Sequence, residues 1–164
     1  MIDEKYYDKK SLQYVIKYAT NPEKTDTVFV GSIGTNAHDS NKMIDQMMKV
    51  KRGFDKVDGY RQLRHIVVSF DSDEHITAEK AYFIAYDIAK FYSNKYQICF
   101  GIHLDTDNIH IHFVQNTVNY MNGKLFSGAP GELSEFKRYV NNVIARYLDK
   151  NDRKKYFESF INEE

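Results

Sequence analysis

The chain has 164 residues, 42% of them hydrophobic and 28% charged, which is one domain's length and a globular rather than disordered composition. Lys plus Arg and Asp plus Glu are 23 each, for zero net charge, and this weighs against a protein whose whole surface grips phosphate. No apolar run approaches the roughly 20 residues of a bilayer span, the charged start Met1-Ile2-Asp3-Glu4-Lys5 carries no secretory stretch, and the single Cys99 excludes a disulfide framework and a cysteine-rich zinc site. A soluble protein of a reducing cytoplasm is the expectation.

Ser11 to about Thr20 is predicted as a short helix, with Ser11 as N-cap, Asn21-Pro22 as its stop, and Leu12, Val15, Ile16 and Ala19 as its apolar stripe. Thr27–Ile33 follows as a strand. Ser40 to about Lys51 is a second helix with Met43, Ile44, Met47 and Met48 inward and Gly53 beyond its end. Leu63–Phe70 alternates as a strand, and Thr77 to about Tyr92 is helical, with Ala81, Ile84, Ala85, Ile88 and Phe91 inward. Tyr96–His103 and Ile109 to about Asn119 are strands joined by the polar turn Asp105-Thr106-Asp107-Asn108. Leu133–Tyr147 is a last amphipathic helix. Residues 1–148 make the domain, and 149–164 form a polar tail or the start of a linker.

Alternation along the strands sorts residues onto two faces. Ile66, Val68, Phe70, Tyr96, Ile98, Phe100, Ile102, Ile109, Ile111 and Phe113 form one apolar face. The other carries His65, Val67, Ser69, Gln97, Cys99, Gly101, His103, His110, His112, Val114 and Asn116, and reads as polar and uncovered. An α+β fold is expected: an antiparallel sheet with helices packed on one face and the active site on the opposite face.

That second face holds the chemistry. His110 and His112, two apart on a strand, sit about 7 Å apart on one side, and the hairpin returns His103 beside them. Three imidazoles there predict a metal site with open positions. Asp105 is placed to hold one ring N–H. Three neutral nitrogens suit zinc, while manganese, iron or magnesium suit a substrate that supplies oxygens. An iron site of His103, Asp105 and His110 ranks lower because it leaves His112 idle. For a phosphodiester substrate a tyrosine is the natural nucleophile. Among 13 tyrosines, Tyr18 on the flank of the first helix and Tyr139 on the last are the two candidates.

The run His103-Leu-Asp105-Thr-Asp-Asn-Ile-His110-Ile-His112, followed by Asn116-Thr-Val-Asn119, resembles the third motif of MOBP-type relaxases, the mobilisation nucleases of the HUH endonuclease superfamily. Ser11-Leu12 to Lys17-Tyr18 with Asn21-Pro22-Glu23-Lys24-Thr25 resembles their first motif, and His65-Ile-Val-Val-Ser69-Phe70 with Glu74 resembles their second. The motifs stand in order across Ser11–Tyr147.

The resemblance implies a bacterial cytoplasmic enzyme that nicks one DNA strand at an origin of transfer and later rejoins it. Tyr18 matches the nucleophile, which stays joined to the 5′ phosphate. His103, His110 and His112 match the metal ligands, with manganese or magnesium as the cation and zinc as the alternative. Asp105 and Glu74 match groups that orient the site. DNA contact is expected from Ser69, Lys17, Lys24, Arg64 and Asn116, within a locally basic face that also takes in Lys51, Arg52 and Arg61. Single-stranded and hairpin DNA, relaxosome accessory proteins and a coupling protein are the implied partners, and no membrane. Two other readings stay open: a rolling-circle replication initiator, which would use Tyr139, and a non-catalytic DNA-binding module.

Overall fold

The computed structural model describes residues 6–71 and 74–148. The expected tail at 149–164 lies outside them. In chain order the elements are α1 (Ser11–Ala19), β1 (Val30–Ile33, entered through a 3₁₀ turn at Thr27–Phe29), α2 (Ser40–Gly53), β2 (Leu63–Ser69), α3 (Ala78–Ser93), β3 (Ile98–His103), β4 (His110–Asn116) and α4 (Glu132–Tyr147). The strands form one sheet in the order β1-β3-β4-β2, every neighbouring pair antiparallel. This is the α+β class read from the alternation.

Local chemistry sets the helix ends. Asp39 accepts from the Asn41 and Lys42 amides to start α2, and Thr77 accepts from Lys80 N at 3.2 Å to start α3. Helix α1 differs from expectation at its entry. Lys10 occupies the N-cap position without a side-chain bond, and Ser11 lies inside the helix, its amide donating to Asp8 O at 2.8 Å. At its exit Thr20 Oγ1 donates to Ile16 O at 2.8 Å, and Pro22 cannot continue the turn.

The apolar face is covered as predicted. Phe100, Ile102, Ile111 and Phe113 of the central strands are buried under Ala81, Ile84, Ala85 and Ile88 of α3 and Phe136, Val140, Val143 and Ile144 of α4. Each large side chain buried there contributes about 1.5–3 kcal/mol.

The second face is not bare, which corrects the expectation of helices on one side only. Leu12, Ile16 and Ala19 of α1 and Met43 and Met47 of α2 form a second buried cluster with Val30, Leu63, Cys99 and Val114. The apolar stripes of α1 and α2 need a partner surface, and the small apolar residues Cys99 and Val114 supply one in mid-sheet. Burial drives the Cys99 thiol up to about 12, so it packs as an inert apolar group. The histidine end of this face stays open.

Two polar residues expected at a DNA surface lie instead inside this layer. Asn116 is fully buried, its Nδ2 donating to Met47 O at 3.2 Å and to Gln97 Oε1 at 2.9 Å. Lys51 is also fully buried, its Nζ donating to Gln62 O at 2.7 Å and to Thr117 Oγ1 at 3.4 Å. Both tie α2 and its flanks to the end of the sheet.

Burial pushes the Lys51 ammonium down from 10.5 to about 7. Across that window the unfolded chain holds a proton that the folded chain has released, so stability rises with pH, by at most about 1.4 kcal/mol per pH unit. Urea midpoints at about pH 7 and about pH 9 should therefore increase in the native chain, and Lys51→Met should flatten the rise.

Candidate active site

Gly101, in the middle of β3, faces His112 across the β3–β4 ladder. A Cβ at Gly101 would sit 1.9 Å from the carbonyl oxygen of Ala19. The bare backbone there lets the last turn of α1 rest directly on the strand. That contact sets the height of the neighbouring residue, Tyr18, over the sheet.

The Tyr18 ring is 43% exposed and lies edge-on to His103 and His112, with centroids 5.2 Å from each, and 6.5 Å from His65. The Lys24 ammonium is 5.6 Å from the same ring. A phenol at the rim of a histidine cluster, with a cation beside it, is thus half open to solvent.

The histidines are held by partners that alternation alone does not reveal. His103 Nε2 donates to Ala19 O at 3.0 Å. His110 Nδ1 lies 3.2 Å from Thr106 Oγ1, whose own proton goes to Asn108 O at 2.8 Å. His112 Nδ1 lies 2.9 Å from His65 Nε2, and His65 Nδ1 lies 3.3 Å from the Tyr6 hydroxyl. His65 was not picked out from the sequence as a site residue. The signal was there, since alternation sets it on the histidine face, but the diagonal that joins it to His112 depends on the β2–β4 register.

Each of the three predicted ligands is tied through one ring nitrogen and offers the other, so the donor chemistry fits a divalent cation. Their arrangement is less complete than expected. The His103 and His112 centroids are 4.1 Å apart, while His110 stands 6.4 Å from His112. Among the described residues no group of three or more His, Cys, Asp or Glu is gathered to hold a metal. Burial pushes His103 below the usual imidazole range. Burial and the nearby His103, His65 and His110 rings push His112 down to about 3. Both rings are therefore neutral near pH 7, the form that coordinates.

The other expected site residues fall into two groups. Lys24 and Asp105 form an ion pair at 2.8 Å that joins the exit of α1 to the β3–β4 turn. The Lys24 bond holds the Asp105 carboxyl below its usual range. Asp105 thus grips a lysine and not an imidazole N–H, which corrects its predicted role. Ser69 is exposed and pairs with His110 in register. Lys17 is exposed on the last turn of α1. Glu74 accepts from the Asp71 amide at 2.8 Å, closing the turn after β2.

Arg64 is displaced from this group. Its guanidinium lies over Tyr92 and Phe126, 5.0 and 4.2 Å from the ring centroids, and donates to Gln115 Oε1 at 3.1 Å. It belongs to the α3/α4 side. Tyr139 is on that side too, packed on Phe91 with its hydroxyl donating to Asp87 O at 2.5 Å. The sheet separates it from the histidines.

Residues 18–148 match the relaxase family model, MobA/VirD2-like, nuclease domain. The chain belongs to this family. It is a relaxase nuclease domain, of the class that nicks DNA for mobilisation. No curated protein and no solved structure matches it. Among the described residues no helix is long and apolar enough to cross a membrane.

Substituting Gly101→Ala should force α1 off the strand at a cost of about 1–3 kcal/mol. The control is Gly53→Ala, where a Cβ meets nothing within 4 Å and stability should hold or rise slightly. Urea unfolding of the two variants checks this, and equal stabilities would remove Gly101 from its seating role.

Proposed function

We propose that this domain nicks and rejoins one strand at an origin of transfer by transesterification through Tyr18. The observation that carries the reading is the half-exposed Tyr18 ring set 5.2 Å from both His103 and His112. The Tyr18 oxygen attacks a backbone phosphorus. An O–P bond to tyrosine forms as the bond to the 3′ oxygen breaks, the phenolic proton leaves, and the 3′ oxygen takes up a proton. The DNA then has a free 3′ hydroxyl and a 5′ phosphotyrosyl end. Because one phosphoester replaces another, the 3′ hydroxyl can reverse the step and rejoin the strand.

His103, His110 and His112 would hold a divalent cation, manganese or magnesium in preference to zinc. When bound it supplies positive charge opposite the non-bridging phosphate oxygens. Lys24, although paired with Asp105, keeps its ammonium 5.6 Å from the Tyr18 ring, within reach of a phosphate brought to that ring. Lys17 and Ser69, both exposed, would contact the backbone of the strand. The DNA is a single strand next to a hairpin, and relaxosome proteins and a coupling protein would act on the complex in the cytoplasm.

The deciding experiment mixes the protein, Mn²⁺ and single-stranded DNA tiled from its own replicon. The expected product is a denaturant-resistant adduct that mass spectrometry assigns to Tyr18. Tyr18→Phe and chelation of the cation should each abolish it, while Tyr139→Phe should leave it intact. An adduct on Tyr139 would make the protein a replication initiator, and binding with no adduct on any tile would leave a non-catalytic DNA-binding module.

A further inference from the structure

The row of paired residues that crosses the sheet at Gly101 joins the Tyr18 site to a second cavity. Val30 of β1 pairs with Gly101, and Gly101 pairs with His112 of β4. Directly paired residues share a face, so Val30 is on the histidine side, where it is buried with Ala19 and Met43. The end of α1 stands on this row as a ridge. A Cβ at Gly101 would meet Ala19 O at 1.9 Å and Thr20 Cα at 3.7 Å. On one side of the ridge are Tyr18, His103 and His112. On the other, between the exit of α1, β1 and the start of α2, a cavity of about 510 Å³ opens.

The lining suits a nucleobase and not a phosphate. Pro22, Val28, Val30 and Met43 supply apolar walls, Thr20 and Asp39 supply polar ones, and among the described residues no Lys or Arg lines the cavity. A carboxylate there repels phosphate. Val28 is 64% exposed, so one of the walls is apolar surface open to solvent. A base has apolar faces and a polar edge, and bases taken out of a stack are gripped between apolar side chains and read by hydrogen bonds to that edge. The volume is in the range of small-molecule sites.

The cavity is also at the right distance. Neighbouring strands are about 4.8 Å apart, so Val30 and His112, two strands apart, are separated by about 10 Å across the sheet. Stacked nucleotides advance about 3.4 Å each, so about three of them cover that span, and fewer do when the strand is unstacked.

Asp39 bears on which base enters. Its Oδ1 accepts from the Asn41 and Lys42 amides at 3.0 and 3.1 Å, which fixes the carboxylate and leaves its second oxygen to accept from an occupant. An ionised carboxylate accepts only, so it favours a base edge with an exocyclic amino group, as in adenine, cytosine and guanine. Thymine has no such group, and its N3–H is flanked by two carbonyl acceptors.

We infer that this cavity holds one unpaired base of the strand that Tyr18 engages, within about three nucleotides of the scissile phosphate, and that Asp39 selects there for an exocyclic amino group. The placement of the strand rests on the nicking reading above, but base capture itself needs neither the cation nor the reaction.

The probe is the tightest-binding single-stranded tile from the protein's own replicon, followed by fluorescence anisotropy in EDTA. Abasic replacement is walked along it one position at a time. One position should lose about 10-fold in affinity. Val28→Gln should weaken the intact tile several-fold and leave the tile that is abasic at that position unaffected. At the same position thymine should bind more weakly than the amino-bearing bases. Asp39→Asn keeps an oxygen for the two amides and turns the second group into a donor, so it should shift the preference toward thymine.

Absence of any position coupled to Val28 would overturn the inference, and so would a base preference that Asp39→Asn leaves unmoved. A Tyr18 adduct formed in either case would leave the nicking reading intact. A coupled position in a protein that forms no adduct on any tile would support the base site and sink the nicking reading. A coupled position much more than about three nucleotides from a mapped Tyr18 junction would overturn the placement, and no binding to any tile would overturn both.

Discussion

The site depends on one close approach, the Ala19 carbonyl resting on the bare backbone of Gly101. It does two things at once. It fixes the end of α1 against the central strand, which sets Tyr18 over the histidines, and it supplies the oxygen that His103 Nε2 bonds at 3.0 Å. A helix C-terminal carbonyl needs a donor once its own turn ends, and His103 is that donor. The residue opposite Gly101 is His112. Removing a side chain from one strand position thus makes room for the end of α1 directly beside a histidine. The apolar stripe of α1 supplies the force for this seating, and Gly101 supplies the clearance.

How much of this is legible in the sequence follows from the range of each interaction. Alternation with a period of two depends only on the strand itself, so both sheet faces could be read directly, whereas the side on which Tyr139 lies could not, because it sits on a helix. Arg64 was misplaced although the same rule applies to it. It shares its parity with Ile66 and Val68, and the structure puts it under α3 and α4 with Tyr92 and Phe126. Lys51 could also have been read. It follows Met43 and Met47 at intervals of four, on the apolar stripe of α2, and all three are buried. A basic residue in that line bonds backbone oxygen, not phosphate.

What could not be read are the partners of the rings. His65 reaches His112 through the pairing of β2 with β4, segments separated by 47 positions in the chain. His103 reaches Ala19 across 84. Neither separation leaves a periodic trace. The cover on the second face was hidden for a related reason. Cys99 and Val114 are too few to look like an apolar face, and only the docking of two helices on them shows that they are enough.

The same contacts divide the site into a rigid part and a looser one. Three ties join the exit of α1 to the end of β3: His103 to Ala19 O, Leu104 N to Lys24 O at 2.8 Å, and Lys24 to Asp105. The ion pair is about one-third exposed, so in salt it adds little stability. The two backbone-directed bonds carry most of the fixing. Tyr18 and His103 therefore move together, and His112 is held from the other side by His65. His110 has none of these ties. Among the described residues its ring is bonded within its own turn, through Thr106, and stands farther from His112 than the His103 ring does. Were the three rings to hold a cation as proposed, His110 is the one left to adjust, because the other two are already anchored to β2 and to the end of α1.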